Sequence, residues 1–457
     1  MDKKSRFFEI CDKLSMIALS VFALECALGC SGQWLKIGPL SIRMVLFAVC
    51  FVLTLPNVFR RMKALLHNAG LVCTLLFGFY TVIAALIGWK NGNRTGFIVA
   101  DITGSMSLAL LPGILATVCT RKRLTQMTDM VFFGSLALGI VTLGLHFFFC
   151  VARNWQINAI NDWLNDHYMG GFATMAWGMQ RIYLRSQIFL QVGLLIGLKK
   201  IWDAKGYMRI LLYVAEGAIL FACLMSFTRG FWLGFGVSAI FLLLVAPAHW
   251  KRYLITVGLT LVVVAAFFLM STLAYSQPVA IKNFIGRFNP NLISGAVIPP
   301  SYGDTSQLPD EKDPDDMDAD EKAVVLRQET LAMLGQKIAD KPIFGNGLGT
   351  NLDGLREDGK VEYTYFDVMM KMGAVGSILF IGVFFLPFYQ ILKKRVQSFK
   401  LKQKPEWDSP EMENLILLAA YFGVAATSYV NPFLLNPMGI LLTMLTVTAA
   451  NPIKEKI

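Results

Sequence analysis

The sequence predicts an all-α fold: a polytopic transmembrane helical bundle of about twelve spans, with one large outer-face loop that contains a short helix. Three observations carry this expectation. Only 16% of the 457 residues are charged, where a soluble domain carries roughly 25%. Apolar runs of the length a bilayer demands, about 20 residues, recur along most of the chain. Those runs do not alternate, which excludes a β-barrel, and open sheet edges cannot face lipid.

The spans are expected at 13–30, 40–58, 69–88, 95–119, 129–151, 183–201, 209–226, 230–248, 253–273, 367–392, 413–430 and 434–451. Their orientation follows from lysine and arginine, which concentrate on the cytoplasmic side. The N-terminal segment is basic (Lys3, Lys4, Arg6, Lys13), and so is every second connection. Arg60, Arg61 and Lys63 mark the first, Arg121 to Arg123 the second and Lys199, Lys200 and Lys205 the third. Lys251 with Arg252, then Lys393 to Arg395, complete the series, and Lys454 and Lys456 lie at the C-terminal end. Both termini are therefore expected in the cytoplasm of a multi-pass inner-membrane protein, with no cleavable leader. The formal net charge of +11 is largely this inner-face excess, so it points to anionic lipid and not to nucleic acid. The eight cysteines lie in or beside spans or in the N-terminal segment and offer no CxxC metal pair or disulfide framework.

Three parts are expected: residues 1–273 with nine spans and an outer loop at 152–182, a large extracytoplasmic loop at 274–366, and residues 367–457 with three spans. In the first loop Trp155, Ala159, Trp163 and His167 recur at helical spacing, the pattern of a short helix at the membrane interface. The second begins with an irregular stretch at 274–303 and continues through an acidic one at 304–321, which lacks the glycine and terminal glutamate of a calcium loop. From Glu321 to Ala339 the pattern is helical, with Pro342 as a stop signal. Leu331, Leu334 and Ile338 form one stripe, and Arg327 falls on the same face, directed at whatever the helix packs on. An arginine so directed needs an anion, either a structural carboxylate or a bound ligand. The glycines Gly345, Gly347 and Gly349 permit close backbone approach or turns of positive φ.

Charges at membrane level give the chemical lead. Arg229, in Ser-Phe-Thr-Arg-Gly between two spans, sits on the outer side, where positive charge does not serve topology. Arg43, Arg181, Arg185 and Arg287 share that side. Guanidinium binds phosphate oxygens in pairs, so such arginines suit a diphosphate head group. Glu25 and Arg43 can neutralise each other, as can Asp367 and Lys371 one turn apart. Asp101 and Glu216 are intramembrane acids that a proton-coupled transporter could use.

Ser-Phe-Thr-Arg-Gly at 226–230, Arg327 in a loop helix, Asp-Lys-Pro-Ile-Phe-Gly-Asn-Gly-Leu-Gly-Thr at 340–350 and Met-Gly-Ala-Val-Gly at 372–376 together resemble the O-antigen ligase and polymerase family, over roughly 226–380. The resemblance implies glycosyl transfer on the outer side of the membrane from an undecaprenyl-diphosphate-linked oligosaccharide, with a chain-length regulator as an expected partner. It implies that Arg229 and Arg327, with Arg181, Arg185 and Arg287, bind and stabilise the diphosphate. Where family members commonly carry a histidine, eleven residues before Gly373, this chain has Glu362. A carboxylate can take a proton from an acceptor hydroxyl, so Glu362 becomes the expected general base, with His167 as its rival. Neither a cofactor nor a metal is expected, because arginines can replace a cation on the diphosphate. The leading expectation is a polysaccharide polymerase. Its alternatives are a ligase that transfers the glycan to lipid A core and a lipid-linked oligosaccharide flippase.

Overall fold

A computed structural model describes residues 3–38, 40–286, 319–352, 361–401 and 403–453. The first half contains α1 (Lys3–Leu28), α2 (Ile42–Leu66), α3 (Ala69–Lys90), α4 (Thr95–Met106), α5 (Leu111–Thr117), α6 (Arg121–Phe149) and α7 (Asn154–Asp166). Then come α8 (Ile188–Asp203), α9 (Tyr207–Met225), α10 (Arg229–Val245), α11 (Trp250–Ala274) and α12 (Val279–Gly286). The last are α13 (Ala319–Asp340), α14 (Thr364–Lys400), α15 (Pro410–Thr427) and α16 (Pro437–Ala450). Strands β1 (Lys36–Ile37) and β2 (Leu40–Ser41) form a minimal antiparallel pair. Strands β3 (Gly170–Thr174) and β4 (Gln180–Leu184) form a second, with Gly170 opposite Leu184 and Ala173 opposite Arg181.

Several helices begin at a side-chain cap. Ser41 accepts from the Met44 amide, Asn68 from Leu71, Ser409 from Met412, and Asn436 from Met438 and Gly439. Among the described residues, seven helical segments are long and apolar enough to cross a membrane: 42–66, 69–90, 95–117, 121–149, 207–225, 247–274 and 364–400. The chain is thus a multi-pass helical membrane protein. α8, α15 and α16 are apolar almost all round and bury nearly every side chain, so they form the centre of the bundle. α3 and α11 lie outside it and present Leu75, Phe79, Val82, Val262, Leu269 and Leu273 outward, a surface suited to hydrocarbon.

Two expected continuous spans are interrupted. Residues 95–117 run as α4, a 3-10 turn at Ser107–Leu110 and α5. α14 is broken at Gly373, whose φ of +63° and ψ of −164° leave the helix. The break uncouples carbonyls before it and amides after it, and the segment 342–347 takes them up. Asn346 and Gly347 donate their amides to the carbonyls of Met370 and Lys371, both at 2.9 Å. In return Ala374 and Val375 donate to the carbonyls of Pro342 (2.8 Å) and Ile343 (3.1 Å). The Tyr80 hydroxyl closes the remaining gap by donating to the Met372 carbonyl at 3.0 Å. Glycine is required where these backbones cross: Gly347 has φ +89°, and a Cβ there would overlap the backbone of Gly88 on α3.

The basic connections meet at one end of the bundle. Arg121 pairs with Glu413 at 2.8 Å, Arg123 with Asp12, and Lys200 with Asp129 at 2.5 Å. These contacts bring the starts of α1, α6 and α15 together with the end of α8. At the opposite end lie the end of α1, the hairpin β3–β4, the α9–α10 turn and the α15–α16 connection, which share a cavity described below.

Several expectations need correction. The 152–182 loop contains the expected helix, α7, with Trp155 and Trp163 exposed, but its second half is a hairpin, and the next helix starts only at Ile188. The glycines at Gly170 and Gly171 obscured that hairpin by leaving strand alternation unreadable. Residues 279–286, read as irregular, form α12, which packs on α11. Among the described side chains of α13 the buried ones are Thr330 and Leu334, while Leu331 lies at the edge. Arg327 is accordingly exposed and not turned into the packing face. Arg287 and residues 304–318 of the acidic stretch lie outside the described residues.

Two outcomes test this architecture. Gly347→Ala should lower the thermal unfolding temperature of the detergent-solubilised protein sharply, because a Cβ has no room beside Gly88. Gly335→Ala, on open helix surface, should leave it unchanged or raise it. In a background lacking the eight native cysteines, Trp155→Cys should react with a membrane-impermeant thiol reagent applied to intact spheroplasts, and Lys63→Cys only after lysis.

A candidate active site opposite the basic connections

The end of the bundle opposite the basic connections holds a cavity of about 1380 Å³. Five of the six site residues expected from the sequence line it: Arg181, Arg185, Arg229, Arg327 and Glu362. Arg43, Asp101, Asp367 and Lys371 line it as well, so six cationic side chains face three acidic ones. The surplus favours an anionic ligand.

Arg181 and Arg229 are set by one local structure. After α9 the chain turns sharply, with Phe227 at φ +50°, and α10 starts at Arg229 with Thr228 as its N-cap position. Arg181, carried in from β4, donates its Nε to the Ser226 carbonyl at 2.7 Å and a terminal nitrogen to Thr228 Oγ1 at 3.1 Å. The hairpin is thereby tied to the Ser-Phe-Thr-Arg-Gly turn. The first turn of α10 also carries the positive end of the helix dipole, which adds to the attraction for an anion. Gly230 allows the 430–431 segment to approach, since a Cβ there would lie 3.1 Å from the Asn431 side-chain nitrogen. Arg185, at the end of the hairpin, lies over the ring of Tyr168 at 5.6 Å.

On another wall, Lys371 of α14 lies 2.9 Å from Asp101 of α4 and 3.0 Å from Asp367. The second oxygen of Asp101 accepts the Gly349 amide at 2.7 Å, which links the glycine run to both interrupted helices. Glu362 is half-buried just before α14. A small apolar cluster supports that corner: Leu334 from α13, Leu352, Val361, Tyr363 and Met370. Arg327, on α13, completes the cavity from the exposed side.

The remaining sequence candidates fall elsewhere. His167 does not line the cavity; it stacks on Trp163 with ring centroids 4.6 Å apart, and its Nδ1 meets the Trp163 carbonyl at 2.7 Å. Glu216 is buried between α9 and Gly197 of α8, away from the cavity. Glu25 and Arg43 do pair, at 2.7 and 3.2 Å, and Arg43 also donates to the Cys30 carbonyl, so its role in the wall is held by structure. Sequence reasoning treated Asp367–Lys371 as a helix pair alone and missed its meeting with Asp101. The available signal was that Asp101 and Lys371 are complementary charges within apolar spans.

A search of curated proteins finds no match. Residues 217–381, which contain the α9–α10 turn, α13, the glycine run and the break in α14, match the family model described as O-antigen ligase.

Proposed function

We propose that this chain joins polyprenyl-diphosphate-linked oligosaccharide repeat units into a surface polysaccharide, of O-antigen or capsule type, on the outer side of the bacterial inner membrane. The observation that carries the reading is the convergence of Arg181, Arg185, Arg229, Arg327 and Glu362 on one cavity, from four separate parts of the chain. The match to the O-antigen ligase family supports the reaction class.

In the reaction, an acceptor sugar hydroxyl attacks the anomeric carbon of the donor. The new glycosidic bond forms as the bond from that carbon to the diphosphate oxygen breaks, and the lipid diphosphate leaves with the bonding electrons. The hydroxyl proton passes to Glu362. Charge grows on the diphosphate as it leaves, and guanidinium groups already fixed around it stabilise that charge without reorganisation. Each such donor is typically worth about 3 kcal/mol. The Arg181–Ser226–Thr228 network holds the arginine wall in place before substrate arrives.

Glu362, where the family commonly has a histidine, favours transfer to a growing polymer. Transfer to a different final acceptor, a ligase reaction, is the second reading, and the description of the matched family model favours it. A deletion strain separates the two. Lost polymerisation leaves single repeat units on the final acceptor, whereas lost ligation accumulates long lipid-linked chains.

Arg229→Ala and Arg327→Ala should each reduce polymer formation by about 100-fold, the loss of one preorganised donor, while membrane abundance stays normal. Unchanged polymer in either variant removes that arginine from the site. Glu362→Gln should depress turnover by about 100-fold or more, as loss of a general base does. Turnover close to that of the unaltered protein would exclude the base assignment.

A further inference from the structure

We propose that Lys371, held between Asp101 and Asp367, is a positioning residue that fixes Glu362 in the cavity. The proposal rests on the reading above in which Glu362 takes the acceptor proton.

The break at Gly373 isolates 364–372 as a short stretch of helix at the cavity wall, and Glu362 lies immediately before it. The helix ladder does not run through the break, so the position of this stretch depends on the backbone pairing of 342–347 with Met370 and Lys371 together with its side-chain contacts. Thr364 donates to the Asn431 carbonyl at 3.1 Å, and Tyr365 to the Ala425 carbonyl at 2.6 Å. These tie its start to the α15–α16 region. Near its end the Lys371 ammonium reaches Asp101 at 2.9 Å, and Asp101 in turn holds the Gly349 amide.

The composition of the cluster argues for a geometric role. Asp367, one turn away at 3.0 Å, already neutralises Lys371. A second carboxylate on another helix brings like charges together and costs desolvation, and setting a register is the best-attested use of buried ionic groups that carry such a cost. Here the register is that of α4 and the glycine run against the short helix that follows Glu362. Lys371 is 5% exposed, Asp367 15% and Asp101 22%, so water does little to loosen the arrangement.

The test uses the full-length protein in liposomes, with lipid-linked oligosaccharide extracted from the deletion strain as donor. Lys371→Met should lower kcat by about 100-fold, the effect of displacing a reacting group by an ångström, at unchanged KM. Lys371→Arg should restore most of the rate. In a Glu362→Gln background, Lys371→Met should add no further loss, because both changes disable one device. Asp101→Asn, which still offers an oxygen to the Gly349 amide, should behave as Lys371→Met does. A raised KM at unchanged kcat would mean that the ammonium binds substrate directly, and independent multiplicative losses would mean that it does not act through Glu362. Either result overturns the proposal, as does loss of both single variants from the membrane. Failure of the general-base reading has a different signature, an active Glu362→Gln enzyme, and it would remove the proposal with it.

Discussion

A peptide backbone buried among apolar helices must find hydrogen-bond partners within the protein, because no water is at hand to replace a missing one. The break in α14 at Gly373 creates that demand, and the 342–347 segment meets it by pairing with both sides of the break. The exchange fixes more than a helix. It anchors the end of the long loop, sets where α13 leaves it, and turns 364–372 into a separate short helix at the cavity. The glycines follow from it: two backbones pressed against Gly373 and Gly88 leave no volume for a Cβ. Asp101 adds a side-chain clamp to the same junction through Gly349.

The arginine wall is built on a different device, an extended strand laid against a tight helix-to-helix turn. Arg181 spends part of its hydrogen-bonding capacity on the turn that presents Arg229, so one cation orients the start of the helix that carries another. Two interrupted helices, one hairpin and one turn therefore surround the cavity, while the uninterrupted apolar helices α8, α15 and α16 supply the rigid centre. Irregular backbone is concentrated where it lines a cavity, as expected when ligand groups must be met within a helical membrane protein.

Much of this was legible in the sequence. Apolar length located the helices, because hydrophobicity over about 20 residues is a strong local signal. The separation of Arg60, Arg121, Lys199 and Lys251 from Arg181, Arg229 and Arg327 marked two different ends of the bundle. What was not legible depends on contacts between distant segments. The hairpin at 170–184 lacks alternation in its first strand, and the α14 break is signalled only by a glycine in an otherwise ordinary apolar run. The exposure of Arg327 was misjudged because the buried face of α13 is centred on Thr330 and Leu334, a slight rotation from the stripe that leucine spacing marks. Asp101 and Lys371 are 270 positions apart, and no local pattern could pair them.

The central claim is that the cavity binds a lipid diphosphate through its arginines. A cryo-electron microscopy structure of the protein in lipid nanodiscs with undecaprenyl diphosphate tests it most directly. The account predicts phosphate density within hydrogen-bonding reach of Arg229 and at least one of Arg181, Arg185 and Arg327, with Glu362 facing the space beyond it. Diphosphate density outside this cavity, with the arginines turned away from it, would contradict the account.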